Sequence, residues 1–194
     1  MNQLKNVIPS EEKNSGRNLH IVTLVFFAFI SINALAMIFN NKDVASFYML
    51  LPFYVVILLM YVIGRFQKKK YQKLGPTPLT LNPSSCTLGN PVNGSILIQR
   101  ENFNKVTQLS ITCLKQSSDS GSTRTDEIWK TSIEPKIEFE NTSTILNFEF
   151  LIPRDKKAST KSFFSGKKYH WTIAFEFVES MESIKRTWKI PVTK

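Results

Sequence analysis

From Ile21 to Phe39 the chain reads IVTLVFFAFISINALAMIF, and from Val44 to Gly64 it reads VASFYMLLPFYVVILLMYVIG; neither run contains Asp, Glu, Lys, Arg or His. A helix rises 1.5 Å per residue, so each run is about long enough to cross a hydrocarbon layer ~30 Å thick. Only Asn40, Asn41, Lys42 and Asp43 separate them, which predicts two helices folded back on each other as a hairpin. A cleaved secretory signal would be shorter and would end in a small-residue cleavage site. A core helix of a soluble protein would show polar positions every turn, whereas only Thr23, Ser31 and Asn33 interrupt the first run. The reading is a pair of membrane spans.

Outward from the spans, the placement of Lys and Arg sets direction, because cytoplasmic flanks retain positive charge. Lys5, Lys13 and Arg17 precede the first span, Lys42 alone lies in the turn, and Arg65, Lys68, Lys69, Lys70 and Lys73 follow the second. Both termini are therefore expected in the cytoplasm, a reducing compartment that keeps Cys86 and Cys113 as free thiols and makes the sequon Asn141-Thr142-Ser143 a chance match. Within the spans, Asn33 and Pro52 are the candidate helix-contact residues. An amide in hydrocarbon seeks a partner, inside the hairpin or across to a neighbour, and a proline one to two turns into a helix kinks it or frees a carbonyl.

The 194 residues carry 25 Lys+Arg against 15 Asp+Glu, a formal charge of +10. Half of that excess sits between Arg65 and Gly75, where five basic and no acidic residues occur. Such a cluster at a membrane exit is attracted to anionic headgroups at ~1 kcal/mol per basic residue. A cluster pressed against a bilayer is badly placed to grip a duplex, so membrane lipid is the expected partner and nucleic acid is not.

Leu74-Gly75-Pro76-Thr77-Pro78 ends any helix, and beyond it the apolar period changes to two, the period of half-buried strands. In Thr144–Ile152, Leu146, Phe148, Phe150 and Ile152 face one way and Asn147 and Glu149 the other. Tyr169, Trp171, Ile173, Phe175 and Phe177 alternate in the same manner, as do Ile184, Trp188, Ile190 and Val192. Leu109 to Cys113, Val92 to Gln99, Arg124 to Glu134 and Leu79 to Leu81 supply four more candidates. About seven short strands with no helical period between them predict an antiparallel β-sandwich of two sheets. The stretch Gln116 to Thr125 reads as a mobile hairpin loop. The domain reading is a flexible cytoplasmic head over 1–19, a transmembrane hairpin over 20–64, a basic juxtamembrane linker over 65–75 and a sandwich over 76–194.

In the long connection Asp155 to Lys168, Phe163 and Phe164 lie beside Lys167 and Lys168, a candidate loop for a partner or a membrane surface, unless the two rings tuck under the sandwich. Reaction chemistry is scarce. A nucleophile needs a base within reach, and the two histidines, His20 and His170, lie at the start of the first span and on the polar face of a strand. Four scattered Cys and His make a zinc site improbable. Ser162 to Lys168, SFFSGKK, lacks the first glycine and the final Ser/Thr of a phosphate-binding loop. No catalytic residue, metal ligand or cofactor is expected.

The order of PLTLNP at Pro78 to Pro83, LGNPVNGSI at Leu88 to Ile96, LSITC at Leu109 to Cys113 and EIW at Glu127 to Trp129 resembles a group of bacterial two-span membrane proteins with a C-terminal arrestin-like or immunoglobulin-like β-sandwich. FEFLIP at Phe148 to Pro153, Tyr169-His170-Trp171 and RTWKIPV at Arg186 to Val192 complete the likeness. The chain departs from that pattern at Asn90 and Asn93, where the group has glycine. The resemblance implies a multi-pass protein of the bacterial inner membrane whose sandwich binds proteins, often through sheet edges, and it carries over no catalytic residue. The expected function is a non-enzymatic, membrane-anchored interaction protein that presents the sandwich to a protein partner, a second copy or a membrane complex. Two alternatives share the architecture. One is a ligand-gated effector whose β domain senses a small ligand, such as a cyclic nucleotide, and makes the spans disrupt the membrane. The other is an accessory subunit of a transporter or respiratory complex.

Overall fold

The structure is a computed structural model and describes residues 7–39, 48–119, 122–160 and 167–194. The chain divides into two compact units, one formed by Glu12–Lys73 and the other by the N-terminal segment through Glu11 together with Leu74–Lys194.

The first unit is a helical hairpin of α1 (Glu12–Phe39) and α2 (Leu51–Gln72). Both helices are long and apolar enough to cross a membrane, and only 11% of the most apolar window of each is buried. That exposure separates them from the core helices of a soluble protein, which hide the same residues. The helices approach closely at two glycines. A Cβ added to Gly16 would lie 3.1 Å from the Gly64 carbonyl oxygen, and one added to Gly64 would lie 3.2 Å from the His20 ring. Small residues at a crossing are how apolar helices bring their backbones together without a hydrophobic driving force between them.

The basic stretch expected to be a linker is instead helical: Arg65 to Gln72 are the last two turns of α2, and Lys73 is its C-cap. Cations there complement the negative end of the helix dipole, so the residues that mark the membrane exit also favour the helix. Gly75, at φ +70°, then takes the left-handed conformation that turns the chain away. Pro52 is also placed differently from the expectation. It lies at the first helical positions of α2, where no carbonyl within α2 needs its missing N–H, and the turn at Met49 and Leu50 just before it separates α2 from the helical Tyr48.

The second unit contains eleven antiparallel and parallel strands among the described residues, in three sheets where two were expected. Seven correspond to the alternating runs: β2 (Leu79–Asn82), β4 (Pro91–Ile98), β5 (Leu109–Asp119), β6 (Ser122–Ile133), β8 (Thr144–Leu151), β9 (Lys167–Glu179) and β10 (Glu182–Ile190). The other four are β1 (Val7–Ile8), β3 (Cys86–Thr87), β7 (Lys136–Phe139) and β11 (Val192–Thr193), which are too short to show a period. A five-stranded sheet runs β1-β2-β4-β8-β7, a four-stranded sheet runs β10-β9-β5-β6, and β11 pairs with β3 in parallel. Pro191 separates β10 from β11, since proline cannot donate to a ladder.

Between the two larger sheets lies one apolar core, in which Leu79, Leu81, Ile96 and Leu146 meet Ile111, Ile173, Phe175 and Trp188. Two indoles are anchored by hydrogen bonds as well as burial. Trp171 Nε1 donates to the Lys157 carbonyl and Trp188 Nε1 donates to the Thr77 carbonyl, each at 2.9 Å. Arg186 takes an inward slot of β10 between Ile184 and Trp188 and is 1% exposed.

Two readings of the sequence change here. The Ser-rich stretch expected as a loop is mostly strand: β5 continues to Asp119 and β6 resumes at Ser122, because Gln116 and Ser117 still pair with Lys168 and Lys167 of β9. The N-terminal head is not wholly flexible either. Val7 and Ile8 pair with Thr80 and Leu79 at the edge of the five-stranded sheet, and three residues later the Glu11 amide donates to the Thr187 carbonyl of β10, the edge of the four-stranded sheet, at 2.8 Å. Residues 7–11 thus act as a strap that ties one sheet edge to the other.

Candidate functional site

The hairpin, the edge strand β6 and the outer face of the four-stranded sheet each carry polar side chains or exposed apolar area.

On the hairpin, Asn33 is satisfied within its own helix, its Nδ2 donating to the Phe29 carbonyl at 2.8 Å, and Thr23 Oγ1 donates in the same way to Leu19 at 2.7 Å. Nearer the start of α1, Ser15 Oγ donates to Gln67 Oε1 at 2.9 Å, and the His20 ring packs on Tyr61 with centroids 5.4 Å apart. Arg65, Lys68, Lys69, Lys70 and Lys73 are all exposed.

Strand β6 is twelve residues long and among the described residues pairs only with β5, which leaves its other edge without a described neighbouring strand. The ladder shifts register between Cys113 and Leu114, leaving Ile128 as the extra residue of a bulge, and Ile128 is 48% exposed. A bulge twists an edge and limits uncontrolled sheet-to-sheet pairing. Trp129, next to it, points the other way and packs on Trp171 with ring centroids 5.4 Å apart. Of the candidate loop, Lys167 and Lys168 begin β9, whereas Phe163 and Phe164 lie outside the described residues.

The outer face of the four-stranded sheet forms a shallow cleft of about 350 Å³. Ladder register aligns its residues in rows across the strands. Lys189, Thr172, Thr112 and Lys130 form one row, and Thr187, Ala174, Ser110 and Ser132 form the next. His170 lies beside this floor, paired across β5 with Leu114 and then Glu127. Thr172 and Ala174 point outward yet are buried, because the longer side chains around them wall the centre of the sheet. Glu11 of the strap reaches the cleft and pairs with Lys189 at 2.8 Å. Burial holds the His170 imidazole below its ordinary pKa, Lys189 adds to that, and Glu11 opposes it.

The thiols are poor nucleophiles. Burial pushes Cys86 up to about 12 and Cys113 up to about 11, the latter despite the opposing charge of Lys156. Among the described residues, no group of three or more His, Cys, Asp or Glu is arranged to hold a metal ion. Sequence reading did not anticipate the strap, the cleft or Arg186. The one signal for the cleft was His170 on a polar face, since the lysines that share that face are brought there by register alone.

Comparison with protein-family models and with curated proteins finds no match to this chain.

Proposed function

We propose that the chain is a non-enzymatic, membrane-anchored interaction protein. The exposed apolar hairpin holds it in a bacterial inner membrane with both termini cytoplasmic, and a sandwich of arrestin-like or immunoglobulin-like type presents a sheet edge to an extended segment of a protein partner. The observation that carries this reading is β6, a twelve-residue strand at a sheet edge whose burial pattern is exposed or half-exposed throughout. Main-chain groups along such an edge give affinity to an added strand, and alternate side chains give selectivity. The other outer edges are weaker candidates: β1 has two residues, β7 has four, and β10 is occupied in part by the strap. A core packed with apolar side chains also favours binding at the surface over a ligand held in the interior.

The test is a photo-cross-linking amino acid placed at Ile128 in cells, with Leu151 on β8 as control, both being about half exposed. A single adduct of defined mass from position 128 and none from position 151 is expected. Absence of any β6 adduct in a chain that accumulates normally in the membrane fraction would remove the reading.

A further inference from the structure

We infer that the groove along one side of the α1–α2 hairpin binds one anionic phospholipid, with an acyl chain against Leu24, Phe27, Ile57 and Leu58 and the phosphate between Arg17 and Arg65. The inference rests on the membrane anchoring of the proposed function and is independent of the β6 edge.

The site follows from helical period. A groove of about 480 Å³ is lined on each helix by residues at i, i+3, i+4 and i+7, from His20 to Phe27 on α1 and from Tyr54 to Tyr61 on α2. That spacing is one face of a helix. Carried one to two turns out of the apolar runs, the same faces reach Arg17 and Lys13 on α1 and Arg65 and Lys68 on α2, all four exposed. The antiparallel helices are level with each other: His20 packs on Tyr61 with ring centroids 5.4 Å apart, and Phe27 on Tyr54 at 6.2 Å. The same pairing continued outward sets Arg17 opposite Arg65 and Lys13 opposite Lys68, to within one residue. Ser15 and Gln67 lie two residues from those arginines, roughly 200° around each helix, so their 2.9 Å hydrogen bond latches the other side of the crossing. The open side is the charged one.

Topology does not account for that asymmetry. The rule that retains Lys and Arg at a cytoplasmic flank sets the end of a span and not the side. Like charges that face each other repel, and among the described residues none of Lys13, Arg17, Arg65 and Lys68 makes an ion pair. Glu12, the one carboxylate on either helix, lies roughly 100° around α1 from Lys13, toward the Ser15 side. An anion seated between the arginines turns the repulsion into attraction.

Depth and lining name the ligand. The apolar runs begin at Ile21 and end at Gly64, so both arginines lie about one turn or less from the hydrocarbon boundary, at the level of a lipid phosphate. A guanidinium meets a phosphate through two parallel hydrogen bonds. Deeper in, the Thr23 hydroxyl is taken by the Leu19 carbonyl, and Phe27 and Tyr54 meet edge to face. From His20 to Phe27 the groove runs roughly 10 Å, about two-thirds of one leaflet. An apolar channel of that length beneath paired arginines fits the acyl chain and phosphate of one molecule, whereas a soluble phosphate compound would leave the channel unfilled.

The experiment is native mass spectrometry of the full chain released from discs holding phosphatidylglycerol and phosphatidylcholine of identical acyl chains in equal amounts. One phosphatidylglycerol per chain is expected to survive release. Arg65→Gln should lower its apparent affinity about fivefold, equivalent to about 1 kcal/mol. Lys70→Gln, which removes the same charge from roughly 140° around α2, should leave it unchanged. Leu24→Trp, which fills the groove and keeps every charge, should also displace the lipid. Equal retention of the two lipids, equal effects of Arg65→Gln and Lys70→Gln, or full occupancy in Leu24→Trp would each overturn the site. A dimer that Leu24→Trp abolishes would assign the groove to a second copy and overturn it too. Alkaline extraction separates this inference from the reading beneath it: a parent chain that leaves the membrane overturns the anchoring itself, whereas one that stays and retains no phosphatidylglycerol overturns the site alone.

Discussion

The hairpin and the sandwich put the same kinds of residue to opposite use. Phe27, Phe29 and Leu58 of the helices are more than half exposed, whereas Phe175, Trp171 and Trp188 of the strands are hidden almost completely. One unit has backbone groups satisfied within each helix and a surface that asks for hydrocarbon; the other satisfies its backbone in ladders and hides its apolar faces from water. The difference shows in what a glycine does. Gly16 admits a neighbouring backbone, while Gly94 on β4 leaves room for the ring of Phe148 directly opposite, so that a Cβ there would collide with it. Each unit is thus stable for a different reason, and matched substitutions should separate the two.

The largest difference should come from removing one aromatic in each. Trp188 is fully buried, packs on Phe175 with ring centroids 5.4 Å apart and donates to Thr77, so Trp188→Ala should lower unfolding free energy by about 4 kcal/mol through a cavity and a lost hydrogen bond. Phe27→Ala, on an exposed helix face, should leave the sandwich transition unchanged. Denaturant unfolding in detergent, followed by the fluorescence of Trp129 and Trp171, measures both. Equal shifts for the two variants would mean that the units do not unfold independently.

A charge makes the comparison in the other direction. Phe29→Arg places a cation in the middle of the α1 apolar run, which should oppose membrane insertion by about 3 kcal/mol and raise the fraction extracted at alkaline pH. A lysine at Met181, fully exposed in the β9–β10 turn, should leave both extraction and sandwich stability unaffected. Unchanged extraction of Phe29→Arg would deny that α1 faces lipid.

The two units also differ in how much of them could be read from residues alone. The spans were legible because every residue of a lipid-facing helix is apolar, so no neighbour is needed to interpret it. The inward faces of β8 and β9 were legible for a related reason: Phe148 and Phe150, or Ile173 and Phe175, are buried whatever strand lies beside them. What escaped depends on register or on length. Thr172 and Ala174 look like solvent positions along β9 and are buried because strands flank them on both sides, Thr172 between Lys189 and Thr112 and Ala174 between Thr187 and Ser110. Arg186 occupies an inward slot that a pattern of hydrophobic residues passes over. Val7 and Ile8 are too few to show alternation, and their pairing with Thr80 and Leu79 is a contact across about seventy residues of chain.

A smaller effect is expected at the ion cluster that joins the β4–β5 connection to the end of β9. Arg100 and Lys105 converge on Glu179 at 3.0 and 2.7 Å and hold its carboxylate down at about 2. The folded value is the lower one, so the contribution is complete above the unfolded value near 4.5 and is lost as pH falls from there to about 2. Arg100 and Lys105 are more than a third exposed, so solvent screening keeps the contribution to about 1 kcal/mol. Glu179→Gln should therefore be less stable than the parent at pH 7 and approach it near pH 2, with the hairpin indifferent throughout. A stability difference that stayed constant across that range would assign the effect to packing and not to charge.

The smallest effect belongs to the helix crossing. Gly16→Ala brings a Cβ to 3.1 Å from both the Gly64 oxygen and the Lys68 nitrogen, closer than most such contacts, so the helices must part by a few tenths of an ångström. The gain of about 1 kcal/mol in helix propensity from replacing glycine opposes that strain, and the net change should be small. A larger side chain removes the balance: Gly16→Leu cannot be absorbed and should separate the helices along that stretch. Ser15 Oγ and Gln67 Oε1 are 2.9 Å apart, which makes cysteines at those two positions a ruler for the separation. The native thiols do not interfere, since both are buried and protonated at neutral pH. Oxidative cross-linking of Ser15→Cys with Gln67→Cys should proceed at nearly the parental rate in Gly16→Ala and far more slowly in Gly16→Leu. Equal rates in all three would show that the close approach at Gly16 does not hold the hairpin together, and the contrast with Gly94, where a ring and not a backbone fills the space, would lose its basis.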